Sequence, residues 1–224
     1  MKKYAISDIH GCNDTFKNLL DKIGLNADDQ LFLLGDYIDR GKDSAGVIDT
    51  ILQLKADGYQ VHCLRGNHEQ MMIEAADDLK KTSNEMWLRN GGKETLHSYY
   101  GGQHGTIPDT HLQFLDQLSA CKITNDFLFV HARLNFDLPN PLEDRRSMLW
   151  IRNWYKNLNR RWLGDRIIVH GHTPKKREVI EQQLEDLDDF PVLNIDNGCV
   201  FNYYGMGNLC AFNLTDRELT FLAR

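Results

Sequence analysis

Residues 35–41 read Gly35-Asp36-Tyr37-Ile38-Asp39-Arg40-Gly41 and directly follow the apolar run Leu31-Phe32-Leu33-Leu34. A four-residue apolar run is typical of a buried strand, and the two glycines allow the chain to turn sharply at the end of that strand. Asp36 and Asp39 are then expected to point toward one crevice, where two close carboxylates need a compensating positive charge. The stretch therefore predicts a strand end that binds a cation, with a solvated turn as the alternative.

The same order of strand, polar turn and helix is predicted twice more in the first part of the chain. Residues 3–7 lead to Asp8-Ile9-His10-Gly11, and residues 59–64 lead to Arg65-Gly66-Asn67-His68-Glu69. Ligands bind at the carboxyl ends of strands in α/β sheets, so these turns are expected to form one site. Three later strands, predicted at 126–130, 166–169 and 192–195, end in His131, in His170-Gly171-His172 and in Asp196-Asn197-Gly198.

The side chains at these strand ends offer oxygen and imidazole nitrogen, with no thiolate. Mixed oxygen and nitrogen ligation favours ions such as Mn²⁺ or Fe over the closed thiolate sites of structural zinc. The donors outnumber those that one tetrahedral ion requires, so we expect two ions that share a carboxylate, about 3.5–4 Å apart as in phosphatases. The candidate ligands are Asp8, His10, Asp36, Asn67, His131 and His172.

Composition limits the class of protein. The chain has 224 residues, of which 42% are hydrophobic, so residues 1–224 are expected to form one domain. A net charge of -6 argues against a nucleic-acid partner. No apolar run reaches the length of a signal-peptide core or a membrane span, which predicts a soluble, cytoplasmic protein without a membrane partner. The five scattered cysteines are expected to be reduced.

Three segments have predictions of their own. Residues 77–105 are polar apart from residues such as Trp87, and they are expected to form a helical insertion over one side of the core. A loop over 135–147 is expected to lead into a helix from Leu149 to Leu158. The acidic segment 178–189 is predicted to be an exposed strand or loop, because a run of charges usually faces water.

Five blocks of this sequence resemble the calcineurin-like metallophosphoesterases, specifically the PPP-type serine/threonine protein phosphatases of the short bacterial and bacteriophage lambda form. Each block alone is a weak signal, but their order and spacing together are specific. The resemblance implies an α/β fold in which a β-sandwich is flanked by helices, four αββα layers in a single domain. The blocks are Asp8-Ile9-His10-Gly11, residues 35–41, Gly66-Asn67-His68-Glu69, His131-Ala132 and Gly171-His172-Thr173.

The resemblance also implies metal ligands and catalytic groups. His68 is implied to be the acid that protonates the leaving group, oriented by Asp39, while Arg40 and Arg152 clamp the phosphate and Arg65 is a less certain phosphate contact. For the metals, Asp8 and His10 are implied to hold the first ion, Asn67, His131 and His172 the second, and Asp36 both; Mn²⁺ is expected, with Fe or Zn as alternatives.

The function implied by the resemblance is a phosphomonoesterase for phosphoserine and phosphothreonine proteins, with a metal-bridging hydroxide as the nucleophile. Phosphotyrosine is a further candidate substrate. A dinucleoside polyphosphate hydrolase of the same superfamily is the alternative, in which the second aspartate of the 35–41 block is typically replaced and the 66–69 block ends in aspartate. Asp39 and Glu69 favour the protein phosphatase. A metal-binding interaction module without catalysis is the rival from another class, and the complete ligand set argues against it.

Overall fold

The computed structural model describes residues 1–77, 82–102, 104–152 and 157–224, and gives only the backbone of Asp77, Thr82 and Ser83. In these residues, nine strands form two mixed sheets, ordered β3-β2-β1-β8-β9 and β4-β5-β6-β7. The three strands β1, β2 and β3 are mutually parallel, as are β5, β6 and β7. The strands are β1 Lys3–Ile6, β2 Gln30–Leu33, β3 Gln60–Cys63, β4 Cys121–Ile123, β5 Phe127–Val130, β6 Ile167–His170, β7 Val192–Asn194, β8 Asn208–Asn213 and β9 Glu218–Ala223.

Helices follow the parallel strands, as the sequence predicts. Local signals set their ends: the Asp43 side chain accepts the Gly46 N–H at 3.0 Å at the start of α2, and α1 ends at Gly24 with a φ of 62°. The helices are α1 Asn13–Ile23, α2 Ser44–Ala56, α3 Asn67–Asp77, α4 Thr82–Trp87, α5 Lys93–Tyr100, α6 Asp109–Asp116, α7 Arg145–Trp150, α8 Arg160–Leu163 and α9 Arg177–Glu185, with a π-helical turn at Leu88–Gly92 and a 3₁₀ turn at Pro141–Glu143.

The two sheets pack face to face, with helices on both outer faces. Alternate residues of each strand enter different cores: Ala5 and Phe32 lie between the sheets, where Phe32 stacks on Phe129 with ring centroids 4.3 Å apart. Tyr4 and Ile6 pack outward against α1, α2 and α3. The outer face of the second sheet packs against α7 and α8. Both faces of the central strands are therefore buried, which explains their continuous apolar runs, and the predicted αββα fold is confirmed.

Two local predictions differ from the structure. The acidic segment 178–189 is mostly helical, because Ile180, Leu184 and Leu187 recur at helical spacing and pack into the core between the sheets. The expected helix from Leu149 instead begins at Arg145, where the Asp144 side chain accepts the Ser147 N–H at 2.9 Å, and Ile151 is already extended. The remainder of that predicted helix includes residues 153–156, which lie outside the described residues.

The segment predicted as a helical insertion contains α4, the π-helical turn and α5. Its backbone approaches the first sheet's loops at Gly91, where a Cβ would lie 2.5 Å from the Arg40 nitrogen. That the segment is an insertion stays a prediction. No helix in the described part of the chain is long and apolar enough to span a membrane.

Candidate metal centre

The predicted site residues meet at the carboxyl ends of β1, β2, β3, β5 and β6. The turns that follow β1 and β2 are joined by backbone hydrogen bonds, since the His10 N–H donates to the Asp36 carbonyl at 2.9 Å. Gly35 allows the next turn to come close: its φ is 96°, and a Cβ there would lie 2.5 Å from the Gly66 nitrogen. The strand ends thus converge as the sequence predicts.

Backbone strain is concentrated at the same residues. Among the described residues, seven that are not glycine have a positive φ, and all except Arg217 are predicted site residues. Each such conformation costs on the order of 1 kcal/mol or more and persists only where the surrounding structure enforces it. The strained residues are Asp8, His10, Asp36, Asp39, Arg40 and His172.

Asp36 lies between two groups of potential metal ligands. Its Oδ2 is 3.5 Å from the His10 Nε2, and its Oδ1 is 3.3 Å from the His131 Nε2. Burial raises the pKa of Asp36 well above its usual value, and the nearby Asp8 carboxylate raises it further. A carboxylate with each oxygen facing a different imidazole has the geometry needed to bridge two cations.

The group on the Oδ1 side brings one amide oxygen and two imidazole nitrogens together. The Nδ1–H of His131 donates to the Leu34 carbonyl at 2.9 Å, so its Nε2 is an acceptor. That Nε2 lies 3.0 Å from the Asn67 Oδ1 and 3.1 Å from the His172 Nδ1. Burial lowers the pKa of His131 and lowers that of His172 to about 2, so both rings are neutral. A neutral imidazole such as that of His131, whose second nitrogen donates to a carbonyl, is a typical metal ligand.

The group on the Oδ2 side is built in the same way around His10. Its Nδ1–H donates to the Ile38 carbonyl at 2.9 Å, which leaves Nε2 as an acceptor. Burial, with the charges of His68 and Arg40, lowers the pKa of His10 well below its usual value. The Asp8 carboxylate lies beside this group and accepts the Ser7 hydroxyl and the His172 N–H, the latter at 3.0 Å.

The donor set fits divalent metal ions. His10, Asp36 and His68 form one cluster and Asp36, His131 and His172 a second, each with potential ligand atoms within 4.8 Å of one another. Buried neutral imidazoles and carboxylates in such proximity are a costly arrangement unless a cation compensates them. The structure thus contains two potential ion sites that share Asp36, while the identity of the metal stays a prediction.

Arg40 and His68 lie over the Oδ2 side. The Arg40 guanidinium donates from Nη1 to the His10 Nε2 at 2.7 Å and from Nη2 to the His68 Nε2 at 2.9 Å. Burial and the charge of Arg40 lower the pKa of His68 well below its usual value. The predicted acid and the predicted phosphate-binding arginine are therefore neighbours.

Asp39 lies behind His68, fully buried. The His68 Nδ1–H donates to the Asp39 Oδ2 at 2.6 Å. The carboxylate also accepts the Thr95 hydroxyl at 2.6 Å and the Trp87 indole N–H at 3.0 Å. Burial raises the pKa of Asp39 to about 7, and these two hydrogen bonds oppose that shift. Trp87 and Thr95 were missed by sequence reasoning, since nothing in the polar segment indicated which of its side chains would reach Asp39.

Glu69 has a structural position that its motif did not reveal. It is completely buried, and its carboxylate accepts the backbone N–H groups of Asp36 at 2.9 Å, of Tyr37 at 2.8 Å and of Gly66 at 2.8 Å. Burial raises its pKa to about 7. Glu69 therefore joins the turn after β2 to the turn after β3.

The two other predicted arginines lie in different surroundings. Arg152 is exposed, and its charge contributes to the lowered pKa of His172, so it lies near the second cluster. Arg65 is buried, and its guanidinium donates to Gln70 at 2.9 Å and to the carbonyls of Leu115 and Asp116 at the end of α6. The hydrogen bonds of Arg65 are made to α3 and α6, so a phosphate contact at the metal clusters is not supported.

Two further features lie outside the predicted site. Asp49, His104 and His111 form a third cluster, in which Asp49 accepts from His104 at 2.7 Å and from His111 at 3.2 Å. Asp196, at the end of β7, has a buried Oδ2 without a hydrogen-bond partner among the described residues. Sequence reasoning found the Asp196 turn but gave this carboxylate no role.

Comparisons with known proteins place these observations in context. A family model described as calcineurin-like phosphoesterase matches residues 1–209. A relative from Delftia acidovorans named symmetrical bis(5'-nucleosyl)-tetraphosphatase is 37% identical over 84 residues, which are 37% of this chain and 29% of the relative. The chain therefore matches less than a third of that relative's length.

Solved structures agree on the fold. One assigned as a diadenosine tetraphosphatase has a TM-score of 0.67 at 20% identity, covering 99% of this chain and 92% of that one. A protein serine/threonine phosphatase from Saccharomyces cerevisiae has a TM-score of 0.63 at 15% identity, covering 100% and 80%. At these identities the likeness shows the fold alone.

The prediction of a protein phosphatase with phosphoprotein substrates is wrong, because the relative found by sequence is named a tetraphosphatase. The structure explains why the discriminating residues misled. Glu69 contacts backbone N–H groups, and Asp39 is buried behind His68. Both residues make their contacts inside the metal centre, so neither indicates which kind of substrate carries the phosphate.

Proposed function

The chain belongs to the calcineurin-like phosphoesterase family, and from this we propose that it hydrolyses dinucleoside tetraphosphates symmetrically. Water attacks one of the two central phosphorus atoms, the anhydride bond between them breaks, and two nucleoside diphosphates leave. The observation that carries the proposal is the 37% identity to a symmetrical tetraphosphatase. The clusters that share Asp36 supply a centre suited to phosphoryl chemistry.

The chain's own residues have distinct roles in this proposal. Phosphoryl transfer depends mainly on positioning and charge stabilisation, so the forked Arg40 guanidinium is suited to bind the oxygens of the attacked phosphate. Arg152 supplies a second positive charge from the side of His172. Two divalent ions, held by the six predicted ligands, would neutralise phosphate charge and activate water. We propose Mn²⁺ as the ion for in vitro work, because the donor set is oxygen and imidazole.

His68 is proposed to deliver a proton to the departing diphosphate after its Nε2, which accepts from Arg40 in this structure, has taken up that proton from solvent. Its Nε2 points to the same side as the Arg40 guanidinium, and its Nδ1 is held by Asp39 at 2.6 Å. Asp39 fixes the ring orientation and stabilises the protonated imidazole. A nucleoside diphosphate is a weakly basic leaving group, with a phosphate pKa near 6, so it needs this proton less than an alkoxide does.

A substrate panel tests the proposal. We would compare diadenosine tetraphosphate with phosphoserine, phosphothreonine and phosphotyrosine peptides in Mn²⁺-supplemented buffer, and separate the products by chromatography. We expect the fastest turnover for the dinucleotide, with ADP as the sole nucleotide product. His131→Asn should abolish turnover, whereas His62→Asn, at a histidine outside the clusters, should retain it. Faster hydrolysis of any peptide, or release of AMP with ATP, would refute the proposal.

A further inference from the structure

A groove of about 750 Å³ lies between α3 and α7. Its lining includes Gln70 of α3, Met86 of α4, and Arg145, Arg146 and Trp150 of α7. Small-molecule sites typically measure about 300–1,000 Å³ and combine apolar surface with a few polar groups. The groove therefore has the size and the mixed lining of a ligand site.

Both helices that form the walls of the groove are connected to residues of the metal centre. The helix α3 begins with Asn67 and His68, so Gln70 lies one turn from a predicted ligand. The helix α7 contains Met148, whose carbonyl accepts the N–H of Ala132 at 2.8 Å, and Ala132 directly follows the predicted ligand His131. A six-residue helix is about 9 Å long, so one bound nucleotide can contact both ends of α7.

The charge of the groove is positive although the chain as a whole has a net charge of -6. Arg145 and Arg146 are exposed, and Arg65 lines the same groove from a buried position. The Arg65 Nε is buried and has no hydrogen-bond partner among the described residues. Among the described residues that line the groove, Glu74 is the one acidic side chain, so an anionic ligand is favoured.

We propose that this groove binds one nucleoside diphosphate half of the dinucleotide while the anhydride bond lies at the metal centre. Arg145 and Arg146 bind the phosphates of that half, and Trp150 with Met86 provides the surface on which the base stacks. The inference rests on the proposed function, because only a substrate with a nucleoside beyond the cleaved bond needs such a groove. An acidic phosphopeptide, the other polyanion of suitable charge, would not need an aromatic platform.

Kinetics of the paired arginine variant test the phosphate contacts. Arg145→Gln with Arg146→Gln should raise the KM for diadenosine tetraphosphate by about tenfold, because two partly exposed ion pairs with the phosphates are lost together. The increase in KM for p-nitrophenyl phosphate, which has no nucleoside, should be at least fivefold smaller. Arg161→Gln, an exposed arginine of α8, is the matched control and should leave both substrates unaffected.

Product inhibition tests the base platform separately. Trp150→Leu should weaken inhibition by ADP by about tenfold, because the base loses the aromatic ring on which it stacks. Inhibition by inorganic pyrophosphate should change much less. Thermal unfolding of each variant shows whether it is folded, and the ratio of ADP to pyrophosphate inhibition is independent of the fraction of active protein.

The outcomes separate this inference from the proposed function. If the wild type does not hydrolyse the dinucleotide, the function and the groove assignment both fail. The wild type could instead hydrolyse the dinucleotide while the arginine variant loses activity equally on both substrates, or on neither. The function would then stand and the groove assignment would be wrong. A selective loss on an acidic phosphopeptide would identify a peptide as the occupant and would also overturn the assignment.

Discussion

Replacing the predicted acid by His68→Asn should slow substrates in proportion to the basicity of their leaving groups. In the structure, His68 is held between the Asp39 carboxylate at 2.6 Å and the Arg40 guanidinium at 2.9 Å. Phenol has a pKa near 10 and the phosphate of a nucleoside diphosphate a pKa near 6, a difference of about four units. If half of this difference is expressed in the transition state, the acid is worth about 2.7 kcal/mol more for phenyl phosphate. We therefore expect a loss about 100-fold larger on phenyl phosphate than on diadenosine tetraphosphate, within the range of general acid catalysis.

The assay would measure kcat/KM for phenyl phosphate, p-nitrophenyl phosphate and diadenosine tetraphosphate under saturating Mn²⁺, with the metal content of each variant determined. Nitrophenyl phosphate, which has a good leaving group, should behave like the dinucleotide. Asp39→Asn should show the same order of losses more weakly, because it changes only the orientation and proton affinity of His68. Equal losses on all three substrates at full metal occupancy would mean that His68 positions the phosphate and does not donate the proton.

Four other predictions test separate parts of the structure. Asp36→Asn should lower the occupancy of both ions, because its two oxygens face different clusters; metal analysis that finds at most one ion in wild-type protein under saturating Mn²⁺ would contradict a dinuclear centre. Trp87→Phe removes the indole donor to Asp39 but retains an aromatic ring. Turnover of phenyl phosphate should fall about tenfold, the equivalent of 1.4 kcal/mol, while turnover of the dinucleotide should be nearly unaffected. Equal losses of turnover on both substrates would indicate that Trp87 contributes through packing only. Glu69→Gln leaves an amide N–H₂ facing backbone N–H donors. It should lower the free energy of unfolding by about 1–3 kcal/mol, measured by denaturant unfolding of the metal-free protein. An unchanged free energy of unfolding would mean that Glu69 does not stabilise the two turns that it joins. Burial, with the charges of Lys122 and Lys55, lowers the pKa of His62 in the folded state. As the pH drops below about 6.5, the unfolded state therefore binds this proton before the folded state does, and the free energy of unfolding should fall. His62→Gln should lessen that fall, and an identical pH dependence in both proteins would show that His62 does not cause it.

The sequence alone determined the strand ends and the chemical type of their side chains. Apolar runs such as Leu31–Leu34 are buried on both faces in the structure, and polar residues follow each run because the chain turns there. Carboxyl ends of neighbouring parallel strands share one edge of a sheet, so the proximity of Asp36 and His10 could be predicted without coordinates. His131 follows a strand of the other sheet, so its proximity to Asp36 depends on how the two sheets pack. The fold and the family prediction are confirmed, while the roles of the site residues stay predictions.

Contacts between distant segments were decided only by the tertiary structure. Trp87 and Thr95 reach Asp39 across 48 and 56 residues of chain, and no local pattern encodes which side chain covers a distant carboxylate. The helix α9 was not predicted because the segment 178–189 has six acidic residues, which outnumber the three apolar ones that pack between the sheets. The substrate was predicted wrongly because the prediction relied on Asp39 and Glu69, whose contacts lie inside the metal centre. The groove along α7 is formed by residues that are distant in sequence, so no local pattern could reveal it.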